Sequence, residues 1–308
     1  MKGETCIHIG YPKCGSTTLQ RNLLNKHSGI NSFGIVYPFK KQEFFNDDIE
    51  YFSNQIRYFP ELEFQECFDR KFIDEKIRSL VLQNKTNIFS NETFLAPFRS
   101  DNYLKAQRLK KCFPEAKIMI VIRNQADFLR SFYEMYPFSV FGPGKTGKYK
   151  TFDRWLKEAF EDPHTSILFA PKYYQLATHY KNLFDKKNIG IFLFEEMVND
   201  TETFSRKIAS FLGIDKKETL QLLSQASQNP ASEAFLYVFK KRFLPDIEYK
   251  KYVDEKIYNF SCRQISKLRK KPEMSDYWKQ KIIDYYKESN RQLAEEFNLD
   301  LSKYNYPL

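Results

Sequence analysis

The chain has 308 residues, of which 42% are hydrophobic and 29% charged, with a formal net charge of +10. That length and balance read as a globular protein with room for a sizeable core, and no apolar run approaches the roughly 18 residues that a membrane helix needs. The positive excess favours anionic ligands, but no basic, aromatic-interleaved motif marks a nucleic-acid module.

The five cysteines, Cys6, Cys14, Cys67, Cys112 and Cys262, are scattered without a C-x-x-C pair. This pattern argues for reduced thiols and against a disulfide frame or a zinc site. The first strand begins within about five residues of the N-terminus, which leaves no leader or anchor, so a cytoplasmic protein is expected. The sequons at Asn84, Asn91 and Asn199 are then chance matches.

From the N-terminus, Thr5–Ile9 predicts a strand and Thr17 to about Asn25 a helix, with Gly10, Pro12 and Gly15 confining the turn between them. Residues 30–37 form a candidate strand. Residues 39–66 are acidic, aromatic and poorly periodic, and are expected as loops and short helices. A helix from Phe68 to Gln83 follows, striped by Phe72, Ile73, Ile77 and Leu80. Thr86–Ser90 predicts a short strand that delivers Asn91-Glu92-Thr93, and Asp101–Cys112 a helix. Lys117–Ile122 reads as a buried strand, because its apolar run is too short for a helix. It ends in Arg123, ahead of a helix from about Gln125 to Tyr136. The Gly-, Pro- and Lys-rich stretch 137–150 is a candidate loop over a site. Helices at 151–160 and 171–186, a strand at Ile189–Phe194, a helix at Asp200–Leu212 stopped by Gly213, and a long amphipathic helix at Ser275–Phe297 complete the pattern. Strands alternating with helices, with no repeat or linker, predict one α/β domain over residues 1–308: a parallel sheet flanked by helices, with a helical C-terminal part.

Chemistry concentrates in residues 7–19, Ile7-His8-Ile9-Gly10-Tyr11-Pro12-Lys13-Cys14-Gly15-Ser16-Thr17-Thr18-Leu19. A strand enters a Gly-bounded loop, and the loop enters a helix with a hydroxyl-rich first turn, which is a cradle for phosphate. Gly10 and Gly15 keep Walker A spacing and Thr17 keeps its hydroxyl, but the lysine has moved inside the loop to Lys13. Neither trusted strand end offers a Walker B aspartate: one ends at Ser90-Asn91-Glu92, the other at Arg123-Asn124. Losing the Walker lysine position and the metal carboxylate while gaining a cation suits a nucleotide that carries a further phosphate.

These residues resemble the PAPS-dependent sulfotransferases. Residues 11–19 are similar to their 5′-phosphosulfate loop, seen as YPKSGTTW or PKCGTTSL, and Ile120–Tyr133, IVIRNQADFLRSFY, is similar to their 3′-phosphate motif. Weaker echoes lie at Phe194-Glu195-Glu196-Met197, at 229–235 and at the C-terminus. The K-G-x-x-G-D-W-K motif of the hormone and phenol enzymes is absent, which moves the likeness toward the bacterial and carbohydrate-type branch. The resemblance implies a P-loop NTPase-like sulfotransferase fold, PAPS as sulfuryl donor, PAP as product and no metal. It also implies donor binding by Pro12, Lys13, Cys14, Gly15, Ser16, Thr17 and Thr18 and by Arg123 and Ser131. Catalysis falls to Lys13, which meets charge growing on the leaving phosphate, and to Glu92 as the general base for an acceptor hydroxyl.

Other readings stand beside these. Glu92 also fits a carboxylate capping the turn after its strand. His8 reads as a core histidine, with a base role second. Cys14 sits where a helix N-terminus lowers a thiol pKa, against a plain packing role, and Glu195 reads as fixing the loop after its strand. The expected acceptor is a carbohydrate or glycolipid hydroxyl, with an amine as the second option, set by loops at 39–66, 94–101 and 137–150. A P-loop small-molecule kinase and a non-catalytic PAP or polyanion binder are the alternatives. The oligomeric state is not readable.

Overall fold

The computed structural model describes residues 4–36, 43–95, 101–141, 148–225 and 272–308. Six strands form one sheet in the order β3-β2-β4-β1-β5-β6. They are β1 (Thr5–Ile9), β2 (Ile30–Val36), β3 (Glu43–Phe44), β4 (Thr86–Asn91), β5 (Lys117–Ile122) and β6 (Ile189–Leu193). Five run parallel and only the two-residue β3 pairs antiparallel, on β2 at the sheet's edge. The parallel sheet flanked by helices is the predicted fold class, and β1 and β5 have the predicted bounds. The central strands are apolar because helices cover both of their faces: β5 is buried at every position after Lys117.

The order reverses at β1. From β1 the chain moves out to β2 and back to β4, then crosses to β5 and β6 on the other side. In such sheets the crevice beyond the strands' C-terminal ends takes the ligand. Three chain segments leave the sheet there, after Ile9, Asn91 and Ile122, and Ile9 stands in register with Asn91.

Three local expectations need correction. Residues 39–66, expected as loops and short helices, include a short helix at Glu61–Cys67 that fits the expectation, but also a regular three-turn helix at Asp47–Tyr58. Its start signal was present, since the Asn46 side chain accepts from Ile49 N and Asp47, Asp48 and Glu50 occupy the first turn. Its core stripe is Ile49, Phe52 and Ile56, spaced for one face. The expected helix at 68–83 is helical only from Arg70 to Leu80 and passes from α through π to 3-10 geometry, because extended Phe68 ends the preceding helix and the Asp69 carboxylate caps a new start. The helix after the first loop begins at Ser16 and widens to π geometry over Leu19–Leu24. Gly213, left-handed at φ 69°, ends the helix Thr201–Leu212 as the sequence predicts.

Candidate active site

The loop between β1 and its helix is held from below by Tyr11. Its ring is buried edge-on against Tyr173, with centroids 5.0 Å apart, and its carbonyl accepts from Cys14 N at 3.4 Å and from Ser16 Oγ at 3.2 Å. Lys13 and Gly15 both take left-handed backbone, at φ 68° and 81°. Alternation of this kind turns successive amides toward one concavity. Gly15 caps the helix with no side-chain acceptor, so the amides of its first turn, Ser16 to Thr18, remain available to an anion.

Two glycines are required by what lies against them. At Gly15 a Cβ would stand 2.4 Å from Met197 Cε and 2.9 Å from Phe194 Cδ2, and the positive φ adds strain. At Gly10 a Cβ would stand 2.8 Å from Ser16 Oγ and 2.9 Å from Glu92 Cγ. The second pair of distances brings Glu92 against the loop, as the register of β1 on β4 requires.

Glu92 is buried, at 8% exposure. Desolvation pushes its carboxyl up to about 7, and the charge of Lys13 and a hydrogen bond with Ser16 offset only part of that rise. A carboxyl that ionises near neutrality can take a proton from a hydroxyl and release it again. Burial, not the exposure expected of a simple turn cap, sets its properties.

Arg123 emerges from β5 on the other side of the loop. Its Nη1 donates to the Lys13 carbonyl at 3.0 Å, and its guanidinium lies over the Phe194 ring at 4.6 Å. Its Nε is buried and has no hydrogen-bond partner among the described residues. An unsatisfied buried donor on a cation beside an anion-binding turn fits a phosphate. Ser131 lies on the helix Gln125–Tyr133, half-buried and two turns into it; no hydrogen bond among the described residues joins it to Arg123. Pro12, Thr17 and Thr18 are half-buried on the loop and first turn.

Cys14 departs from the lowered-thiol alternative. It is fully buried, and burial pushes its thiol well above the ordinary value despite the opposing charge of Arg123. His8 is a core histidine as read: Nδ1 lies 2.8 Å from Ser90 Oγ, and burial lowers its pKa to about 4. Glu195 holds the neighbouring strand's exit, because Oε1 accepts from Asn124 N at 2.8 Å. His27 lies 3.2 Å from the Asp215 carbonyl through Nε2 and accepts from Gly29 N through Nδ1. Sequence reasoning missed Tyr173, whose hydroxyl donates to the Arg123 carbonyl at 2.7 Å, and nothing local to residue 173 signals it. Residues 229–235, and the inner parts of the acceptor loops at 39–42, 96–100 and 142–147, lie outside the described residues. No group of three or more metal-ligating side chains, and no helix long and apolar enough to cross a membrane, occurs among the described residues.

Sheet order, the loop at the switch point and the displaced lysine define a P-loop-like group-transfer fold. The chain belongs to the sulfotransferase family: the family's Sulfotransferase domain matches residues 4–295. It is a PAPS-dependent sulfotransferase. Its fold is similar to that of a sulfotransferase from Alicyclobacillus acidocaldarius, at 16% identity, 98% coverage of both chains and a TM-score of 0.54. Mouse sulfotransferase SULT7A1 complexed with PAP is similar at 18% identity over 91% of this chain and 88% of that one, with a TM-score of 0.43. The sulfotransferase domain from the curacin biosynthetic pathway is similar at 14% identity over 74% and 79%, with a TM-score of 0.46. The first likeness bears on the fold; the other two are weaker and add nothing to it. Comparison with curated proteins returns no match.

Proposed function

We propose that the enzyme transfers the sulfuryl group of PAPS to an acceptor hydroxyl, on a glycan or glycolipid, with Glu92 as general base and an amine as the alternative acceptor. The observation that carries this reading is Glu92, buried against Gly10 and Ser16 at the mouth of the anion-binding loop with its carboxyl raised to about 7. As the acceptor oxygen bonds to sulfur, the bond from sulfur to the bridging phosphate oxygen breaks and the acceptor's proton passes to the Glu92 carboxylate. Negative charge grows on the leaving phosphate, where Lys13, the amides around Cys14 and Gly15, and the hydroxyls of Ser16, Thr17 and Thr18 meet it. Arg123 and Ser131 take the 3′-phosphate. Pro12 shapes the loop.

Positive charge from Lys13 and the loop amides does the work that Mg²⁺ does in kinases, so PAP is expected to bind equally well with EDTA present. The net charge of +10 and the missing K-G-x-x-G-D-W-K motif support an anionic carbohydrate acceptor over a phenol or steroid. We read the chain as one domain acting in the cytoplasm. The test is a PAPS-dependent transfer assay across sugars, glycolipids, phenols and amines, read by mass shift. Transfer to phenols alone would overturn the acceptor class, and a Glu92→Gln variant with undiminished turnover would remove the base.

A further inference from the structure

The last residues of the chain reach back to the strand end that carries Arg123. Tyr306 is buried and its hydroxyl donates to Glu195 Oε2 at 2.8 Å, while the other oxygen of the same carboxylate accepts from Asn124 N. Asn124 then works in both directions. Its Oδ1 accepts from Ala126 N at 2.9 Å and so caps the helix that carries Ser131, and its Nδ2 donates to the carbonyl of Asn305 at 2.5 Å. One turn deeper, the tail is fastened again: Asn290 Nδ2 donates to the Pro307 carbonyl at 2.7 Å, and Gln125 Nε2 donates to Asn290 Oδ1 at the same distance. Gln125 and Asn290 are both fully buried.

From this geometry we infer that the C-terminal tail, through Tyr306 and Glu195, is a positioning clamp for Arg123 and for the start of the Ser131 helix. It sets how well the enzyme distinguishes a 3′-phosphorylated nucleotide. The inference rests on the reading that Arg123 takes the 3′-phosphate. Its physical basis is that Arg123 has a long side chain whose aim depends on its own peptide. Tyr173 and Glu195 hold opposite edges of the peptide unit between Arg123 and Asn124, Tyr173 donating to its carbonyl and Glu195 accepting from its N–H. Tyr306 and Asn124 are buried and Glu195 is half-buried between them, hydrogen-bonded to both, so loss of one leaves a partner unsatisfied and the peptide free to turn. Glu195 and Tyr306 are positioning residues, since their hydrogen bonds run to the Asn124 backbone and to each other.

Calorimetric affinities for PAP and for adenosine 5′-monophosphate, with thermal melting of each variant, test the inference. Glu195→Ala and Tyr306→Phe should weaken PAP about tenfold and threefold respectively, with the 5′-monophosphate changed less than twofold, as expected for lost hydrogen bonds to a positioned group. Equal weakening of both nucleotides would assign the tail a purely structural role and overturn the clamp. Arg123→Ala separates the two layers. If it leaves the preference for PAP intact, the reading of Arg123 fails; if it abolishes that preference while Glu195→Ala and Tyr306→Phe keep it, only the clamp fails. Should Glu195→Ala not fold, Tyr306→Phe, which removes one hydroxyl, decides alone.

Discussion

The guanidinium of Arg123 donates to the backbone carbonyl of Lys13 at 3.0 Å, which ties the exit of β5 to the loop after β1. Two motifs separated by 110 residues thus share a hydrogen bond at the sheet's switch point. An Arg can keep this bond with one nitrogen and present others to an anion, and a Lys cannot. Arg123→Lys should therefore weaken PAP by roughly tenfold even though the charge is kept, within the range for a lost charge-assisted hydrogen bond. Isothermal titration against PAP measures it, and unchanged affinity would show that charge alone suffices.

Turnover should follow the ionisation of Glu92. Its carboxyl, raised to about 7 chiefly by burial, must be deprotonated to act as base, so kcat should rise with pH through neutrality and level off above it. Glu92→Gln should lower kcat about a hundredfold or more and abolish that limb of the pH profile. A profile with the same inflection in the variant assigns the titration to another group.

The same burial has a cost in stability, with a defined sign. Folded Glu92 titrates at about 7 against an ordinary 4.5, so between those values the native state holds a proton that the unfolded chain has released. Stability falls as pH rises through this window, by up to about 3 kcal/mol. Glu92→Gln should melt higher than the parent at pH 8, with the difference vanishing below pH 4.5. A higher-melting, inactive variant is the pattern of a group kept for function.

His8 works in the opposite sense. Burial lowers its pKa from 6.5 to about 4, so between those values the unfolded chain binds a proton that the native state does not. Its contribution to stability is complete above pH 6.5 and is lost as pH falls toward 4, again by up to about 3 kcal/mol. Urea midpoints at pH 7.5 and 4.5 for the parent and His8→Gln should show a smaller acid loss in the variant.

Gly15→Ala should be strongly destabilising, by about 2 kcal/mol or more, because it combines left-handed strain with a collision at Met197. The clash can be relieved separately. A second change, Met197→Ala, should recover part of the loss measured by denaturant unfolding, and strict additivity of the two changes would deny the contact.

Most of the sheet and half of the site can be read directly from residue order, because both depend on neighbours in the chain. β5 shows itself as a short apolar run, and the loop at Gly10–Thr18 as a strand, two glycines and a hydroxyl-rich first turn. Lys13 stands out as a cation inside a glycine-bounded loop, and Arg123 as a cation at the end of a buried strand. The helix at Asp47–Tyr58 was legible in its Asn46 cap and acidic first turn, but its aromatic residues obscured the period. Burial decided the rest. Cys14 lies at a helix start that should favour thiolate, yet the packing above it excludes water and desolvation wins. Glu195 and Tyr306 meet across 111 residues, and no local pattern encodes that. Sequence alone determined that a phosphate loop and a strand-end arginine exist in one sulfotransferase chain. Only the tertiary structure decided that Glu92 is dry enough to titrate near neutrality and that the chain's own tail holds the backbone beside Arg123, since both depend on which distant groups take the place of water.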